Sequence, residues 1–120
     1  MLIEFARRRA EIVKNYRKYI PNIVSAVREI LGDVKVYLFG SVVEGKAAGG
    51  SDIDIMIVAN VRGNLKKAEI IAKIEEIADL PLDNPFEFHL LTEDEFEKWR
   101  KIFKPKLVEL VYSRHYDIWI

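Results

Sequence analysis

Two aspartates separated by one residue open the run Ser51-Asp-Ile-Asp-Ile-Met-Ile-Val. In a strand, Asp52 and Asp54 leave the same face with Cα atoms about 6.7 Å apart, close enough for both carboxylates to reach shared ions. Ile53, Ile55 and Ile57 take the opposite face, which must be the buried one. The run Phe86-Glu-Phe-His-Leu-Leu divides in the same way: Phe86, Phe88 and Leu90 belong to the core, and Glu87 and His89 face as the aspartates do. If the two strands are neighbours, Glu87 becomes the third carboxylate of one cluster. Three such groups repel one another unless cations sit among them, and hard oxygen ligands select Mg²⁺ or Mn²⁺. Two ions about 3.5–4 Å apart are a clamp for in-line displacement at phosphorus.

Gly40-Ser41 supplies a complementary feature. Glycine lets the backbone approach a phosphate closely, the serine offers a hydroxyl and an amide, and a helical turn starting there adds a dipole of the right sign. The same loop contains Gly40-x-x-x-x-Gly45-Lys46, most of a Walker A motif, but Ala47 stands where a magnesium-binding Ser or Thr belongs. That motif must also open a long helix, whereas this loop leads within a few residues to another strand. Asp-x-Asp as the start of an EF-hand is excluded by Met56 and by the missing glycine at the sixth loop position. His89 is read as a hydrogen-bonded bystander near the site, and Arg7, Arg8 and Arg9 as a solvated helix face, with contact to nucleotide or a partner as the alternative.

The elements that position these residues follow from periodicity. Apolar residues from Leu2 to Tyr19 predict an amphipathic helix broken by Pro21, followed by a short helix through Ile30 with Gly32 as its C-terminal cap. Val34 to Phe39 reads as a strand, 40–51 as a glycine-rich loop with one turn at Val42 to Glu44, and Leu65 to Leu80 as a helix ended by Pro81. Thr92-Glu-Asp-Glu95 has the spacing of a capping box opening a helix through Trp99 to Phe103. Residues 106–112 fit helix or strand, and 116–120 a short strand. This order predicts an α/β (α+β) fold, a small mixed sheet with its helices on one face and the aspartate face open.

Composition narrows the remaining classes. A chain of 120 residues, 50% hydrophobic and 32% charged, has room for one domain and a sizeable core. With no cysteine and two histidines, disulfides, thiolate chemistry and a protein-built zinc cage drop out. Nineteen basic and nineteen acidic residues cancel, which disfavours sequence-independent nucleic-acid binding. The balance is uneven: residues 1–31 carry seven basic and three acidic side chains, a surplus of four, and the remainder an equal deficit. No apolar run approaches membrane-spanning length and the start lacks the order of a secretory signal, so a cytoplasmic protein is expected. Surplus apolar composition and the tail Val111 to Ile120 lead us to expect association, as a homo-oligomer or with a protein partner.

The string Gly-Ser-x-x-x-Gly-x-x-x-x-x-Ser-Asp-Ile-Asp at 40–54 resembles the signature of the DNA polymerase β-like nucleotidyltransferase superfamily. More narrowly, it is similar to the minimal nucleotidyltransferases of bacteria and archaea. The resemblance implies a palm-like core over residues 34–103, with N-terminal helices at 1–33 and a tail at 104–120 of a single domain. It implies that Gly40 and Ser41, with Ser51, hold the nucleotide triphosphate, and that Asp52 and Asp54 bind both metals. A third acid, here Glu87 where aspartate is more usual, completes the site. The activity implied is transfer of a nucleoside monophosphate, AMP from ATP, to an acceptor hydroxyl. Small members are often paired with a helical HEPN toxin, so a HEPN-type partner is expected. The rival expectation is a non-catalytic antitoxin that neutralises a partner by covering it.

Overall fold

Residues 2–47 and 51–111 are described by the computed structural model of the chain. Helix α1 (Leu2–Lys14) gives way at Asn15 to a single 3-10 turn (Tyr16–Lys18), so the predicted helix to Tyr19 is divided. Helix α2 (Ile20–Leu31) carries Pro21 in its first turn, where the missing N–H is no loss, and stops at Gly32 with φ +79°. Strands β1 (Lys35–Phe39) and β2 (Ile53–Val58) follow, then α3 (Asn64–Ile77), β3 (Phe86–Leu91), α4 (Glu93–Phe103) and the two-residue β4 (Val108–Glu109).

Helix α3 ends before the predicted Leu80 for a local reason. Asp79 turns left-handed at φ 55°, its N–H donates to Glu76 O at 3.1 Å, and Leu80 N–H donates to Glu75 O at 3.0 Å. That pair of bonds is a Schellman motif, here with aspartate in the place glycine usually takes. Helix α4 starts on the capping box its sequence announces. Glu95 N–H donates to Thr92 Oγ1 at 3.3 Å, and Thr92 N–H donates back to Glu95 Oε1 at 2.9 Å.

The sheet has the order β3-β2-β1-β4. Strands β2 and β3 are parallel, and β1 is antiparallel to both β2 and β4. The ambiguous stretch after Pro105 is thus resolved as a short edge strand, while the predicted strand at 116–120 lies outside the described residues. Ile53, Ile55 and Ile57 are fully buried with Val36 and Leu38 against Ile20, Ile23 and Val27 of α2 and Ile74 of α3. Each such side chain contributes about 1.5–3 kcal/mol by leaving water, so this layer fixes the strand register.

The fold class is the expected mixed α+β one, but its helices do not all lie on one face. On the Asp54 side of β2, Met56 and Val58 are buried in a second core with Phe96 of α4 and partly buried Tyr37, Phe39, Leu91 and Trp99. Phe96 stacks on Tyr37 with centroids 5.3 Å apart, and Trp99 meets Phe39 edge-on at 5.1 Å. The physical reason lies in β2 itself. Only its first even position is charged, and the two apolar residues beyond Asp54 require a cover, which α4 provides. The opening is therefore confined to the end of the sheet where the acids are.

Candidate active site

The register places the chemistry-bearing residues at one end of the three longer strands. Asp54 of β2 is paired with Phe39 of β1 and with Glu87 of β3, and Met56 is paired with His89. The alternation of hydrophobic and acidic residues that buries Ile53 and Phe86 thus brings Asp54 and Glu87 side by side on the other face. Asp52 lies just before β2, at the mouth of the same opening.

The acids form one electrostatic unit. Glu87 is held above the usual carboxylate range, first by a hydrogen bond with Asp52, then by partial burial and the negative charges of Asp54 and Asp52, with His89 pulling the other way. His89 Nε2 lies 3.1 Å from Asp54 Oδ1 and 3.9 Å from Glu87 Oε1. The imidazole is set by Phe39, whose ring centroid is 5.1 Å away. Asp54, Glu87 and His89 each offer a ligand atom within 4.8 Å of the others.

Gly40 completes the arrangement. It follows β1 directly with φ +82°, and a Cβ built there would overlap Asp54 Oδ2 and sit 3.3 Å from Asp54 Cγ. The backbone leaving β1 is therefore laid against the carboxylate, in a conformation and a space that both require glycine. The chain then turns through Ser41 to Gly45, with Val43 and Glu44 N–H donating to Gly40 O at 3.1 Å and Lys46 N–H to Ser41 O at 2.9 Å. A glycine cradle beside oxygen donors crowded enough to raise a carboxyl suits a divalent cation and a phosphate-bearing ligand.

Of the residues the sequence singled out, Gly40, Asp52, Asp54 and Glu87 are brought together, and Ser41 opens the turn beside them. Ser51 adjoins Asp52 in the chain and is half-buried. Two residues outside that set also reach the site. His89 is in contact with Asp54, which its shared strand face already hinted at. Arg9 reaches the site from α1, with Nη2 2.5 Å from Asp52 Oδ1. Its traces in the sequence were the positive surplus of the first 31 residues and the alternative reading of Arg7, Arg8 and Arg9 as contacts for nucleotide or a partner.

Residues 20–120 match the nucleotidyltransferase domain family, and the chain belongs to that family. A crystal structure of a protein provisionally described as a nucleotidyltransferase is 36% identical, covers 74% of this chain and 94% of its own, and superposes with a TM-score of 0.59. A second, from Sulfolobus solfataricus and described in the same terms, shares the fold. Its TM-score is 0.58 at 20% identity, over 98% of this chain and 91% of that one. Among curated proteins, none matches the chain. No helix among the described residues is long and apolar enough to cross a membrane.

Proposed function

We propose that this nucleotidyltransferase moves AMP from ATP, in the cytoplasm, to a hydroxyl on a protein partner such as a HEPN toxin. The observation that carries the reading is the contact of Gly40 with Asp54, which joins the glycine turn to the acid cluster. Asp52, Asp54 and Glu87 would hold Mg²⁺ or Mn²⁺, a reading supported by the clustering of ligand atoms of Asp54, Glu87 and His89, with His89 positioning Asp54. Gly40 and Ser41 receive the triphosphate, with Ser51 at the rim.

Bound divalent ions supply charge neutralisation at the phosphates and activation of the attacking oxygen. The chain's own residues do the rest. Gly40 lets backbone come close to the phosphates, and the turn from Ser41 to Gly45 presents the loop. The carboxylate nearest the acceptor takes the hydroxyl proton as the oxygen bonds to the α-phosphorus and pyrophosphate leaves. Preorganisation is provided by β1, β2 and β3, whose buried apolar residues, Val36 and Leu38, Ile53, Ile55 and Ile57, Phe86 and Leu90, fix the register that carries the acids.

A second reading, a cover that neutralises a partner by association, draws on exposed apolar side chains. Leu2, Ile3 and Phe5 lie at one end of α1, and Ile102 and Phe103 at the end of α4. Asp54→Asn separates the two. On the enzymatic reading the folded variant loses both nucleotide transfer and control of the partner. On the covering reading control of the partner survives without transfer.

A further inference from the structure

Arg9 is a cation within the acid cluster for which the proposed reaction has no use. It belongs to α1, which precedes the residues matching the family. Its Nη2 lies 2.5 Å from Asp52 Oδ1, while Nη1 donates to the Asn84 carbonyl at 3.0 Å. Asn84 is itself fixed, with Nδ2 donating to Pro81 O at 2.7 Å and Oδ1 accepting from Phe86 N–H at 2.9 Å. Next to it Arg8 pairs with the nearly buried Asp83 carboxylate at 2.6 Å. Helix α1 is thus tied to the segment that leads into β3, and Arg9 is held at the site by an anchor independent of Asp52.

We propose that Arg9 competes with a divalent ion for the Asp52 carboxylate and serves as a triphosphate ligand once an ion takes that carboxylate. The inference rests on the metal-dependent reading above. A magnesium–oxygen bond is about 2.0–2.1 Å, so an ion on Asp52 Oδ1 would stand within roughly 4 Å of a guanidinium nitrogen bonded to the same oxygen. Two cations at that distance compete for one carboxylate. Displaced from Asp52, the guanidinium keeps its Asn84 anchor and presents a planar fork of donors to the site, a shape that matches phosphate oxygens. Arg9 therefore opposes metal binding before nucleotide arrives and favours the triphosphate afterwards.

The test measures two affinities in the full chain: Mn²⁺ alone, from the free-ion electron paramagnetic resonance signal, and α,β-methylene-ATP at saturating Mn²⁺, by calorimetry. Arg9→Ala is expected to bind Mn²⁺ about threefold more tightly, because a competing cation has gone. The same variant is expected to bind the analogue about tenfold more weakly, because a charged hydrogen-bond donor has gone. Arg9→Lys keeps the charge without the fork and should leave Mn²⁺ affinity near the parent value while weakening the analogue. Arg8→Ala loosens the same helix and should show neither change. An Arg9→Ala variant with unchanged or weaker Mn²⁺ binding overturns the proposal, as does an Arg8→Ala variant that reproduces the Arg9→Ala pattern. A parent protein that binds no Mn²⁺ would remove the metal-dependent reading itself, a result distinct from those two.

Discussion

A methyl group added to Gly40 would overlap Asp54 Oδ2, because the chain leaves β1 at φ +82° directly against the carboxylate of the neighbouring strand. The glycine turn and the acid cluster are therefore in direct contact. Gly40→Ala must strain the backbone and displace Asp54 together, at about 1–3 kcal/mol for the backbone alone. We expect a lower melting temperature and loss of nucleotide transfer in the same variant, checked by thermal melts and labelled ATP.

The crowding of acids predicts stabilisation by metal. Glu87 is raised by its hydrogen bond to Asp52, by burial and by the neighbouring acids, a crowding that Arg9 and His89 offset only in part and a divalent ion would relieve further. Mn²⁺ at a hundred times its Kd should add about 2.7 kcal/mol, reversed by chelation. Differential scanning calorimetry with and without chelator reads this directly, and Asp54→Asn should lose most of the shift.

His89 holds Asp54 by a 3.1 Å contact and is itself packed on Phe39. His89→Ala should weaken Mn²⁺ binding about tenfold, the usual scale for a residue that orients a ligand. Because the ring points away from the buried isoleucine layer, the melting temperature of the metal-free variant should change little.

The start of α4 gives a pH signature of its own. Glu95 is lowered to about 2, from an ordinary 4.5, by the Thr92 backbone N–H, then by Lys67 and the Thr92 hydroxyl. A carboxylate depressed in the folded state stabilises the fold fully above its unfolded pKa and loses that contribution as pH falls, here between about 4.5 and 2. Glu87, being raised, works in the opposite sense. Acid unfolding of Glu95→Gln should therefore be flatter than the parent's across that window. Thr92→Ala should cost about 1 kcal/mol at neutral pH, measured by chemical denaturation.

Much of the site was legible because strand alternation is a two-state code. Once Ile53, Ile55 and Ile57 are assigned to the core, Asp54 has only one face to occupy, and Phe86 and Leu90 do the same for Glu87. The capping box and Gly32 marked helix ends by chemistry that acts locally. The cover of α4 over Met56 and Val58 was missed because those residues share a face with Asp54, and their burial depends on where a later helix packs. The same limit left the pairing of Arg9 with Asp52 unread, since a guanidinium 43 residues away in the chain meets that carboxylate only through the packing of α1. The left-handed Asp79 that shortens α3 also lacks the usual glycine signal.

The most direct test of the central claim is transfer of label from α-labelled ATP, with Mg²⁺ or Mn²⁺, to a protein acceptor supplied as the product of a neighbouring gene. Pyrophosphate release is followed in the same reaction. The account predicts labelled protein and stoichiometric pyrophosphate with the parent chain, and neither with the Asp52→Ala/Asp54→Ala variant. Equal transfer by parent and double variant, or metal-dependent ATP binding by the parent without transfer to any acceptor offered, would contradict it.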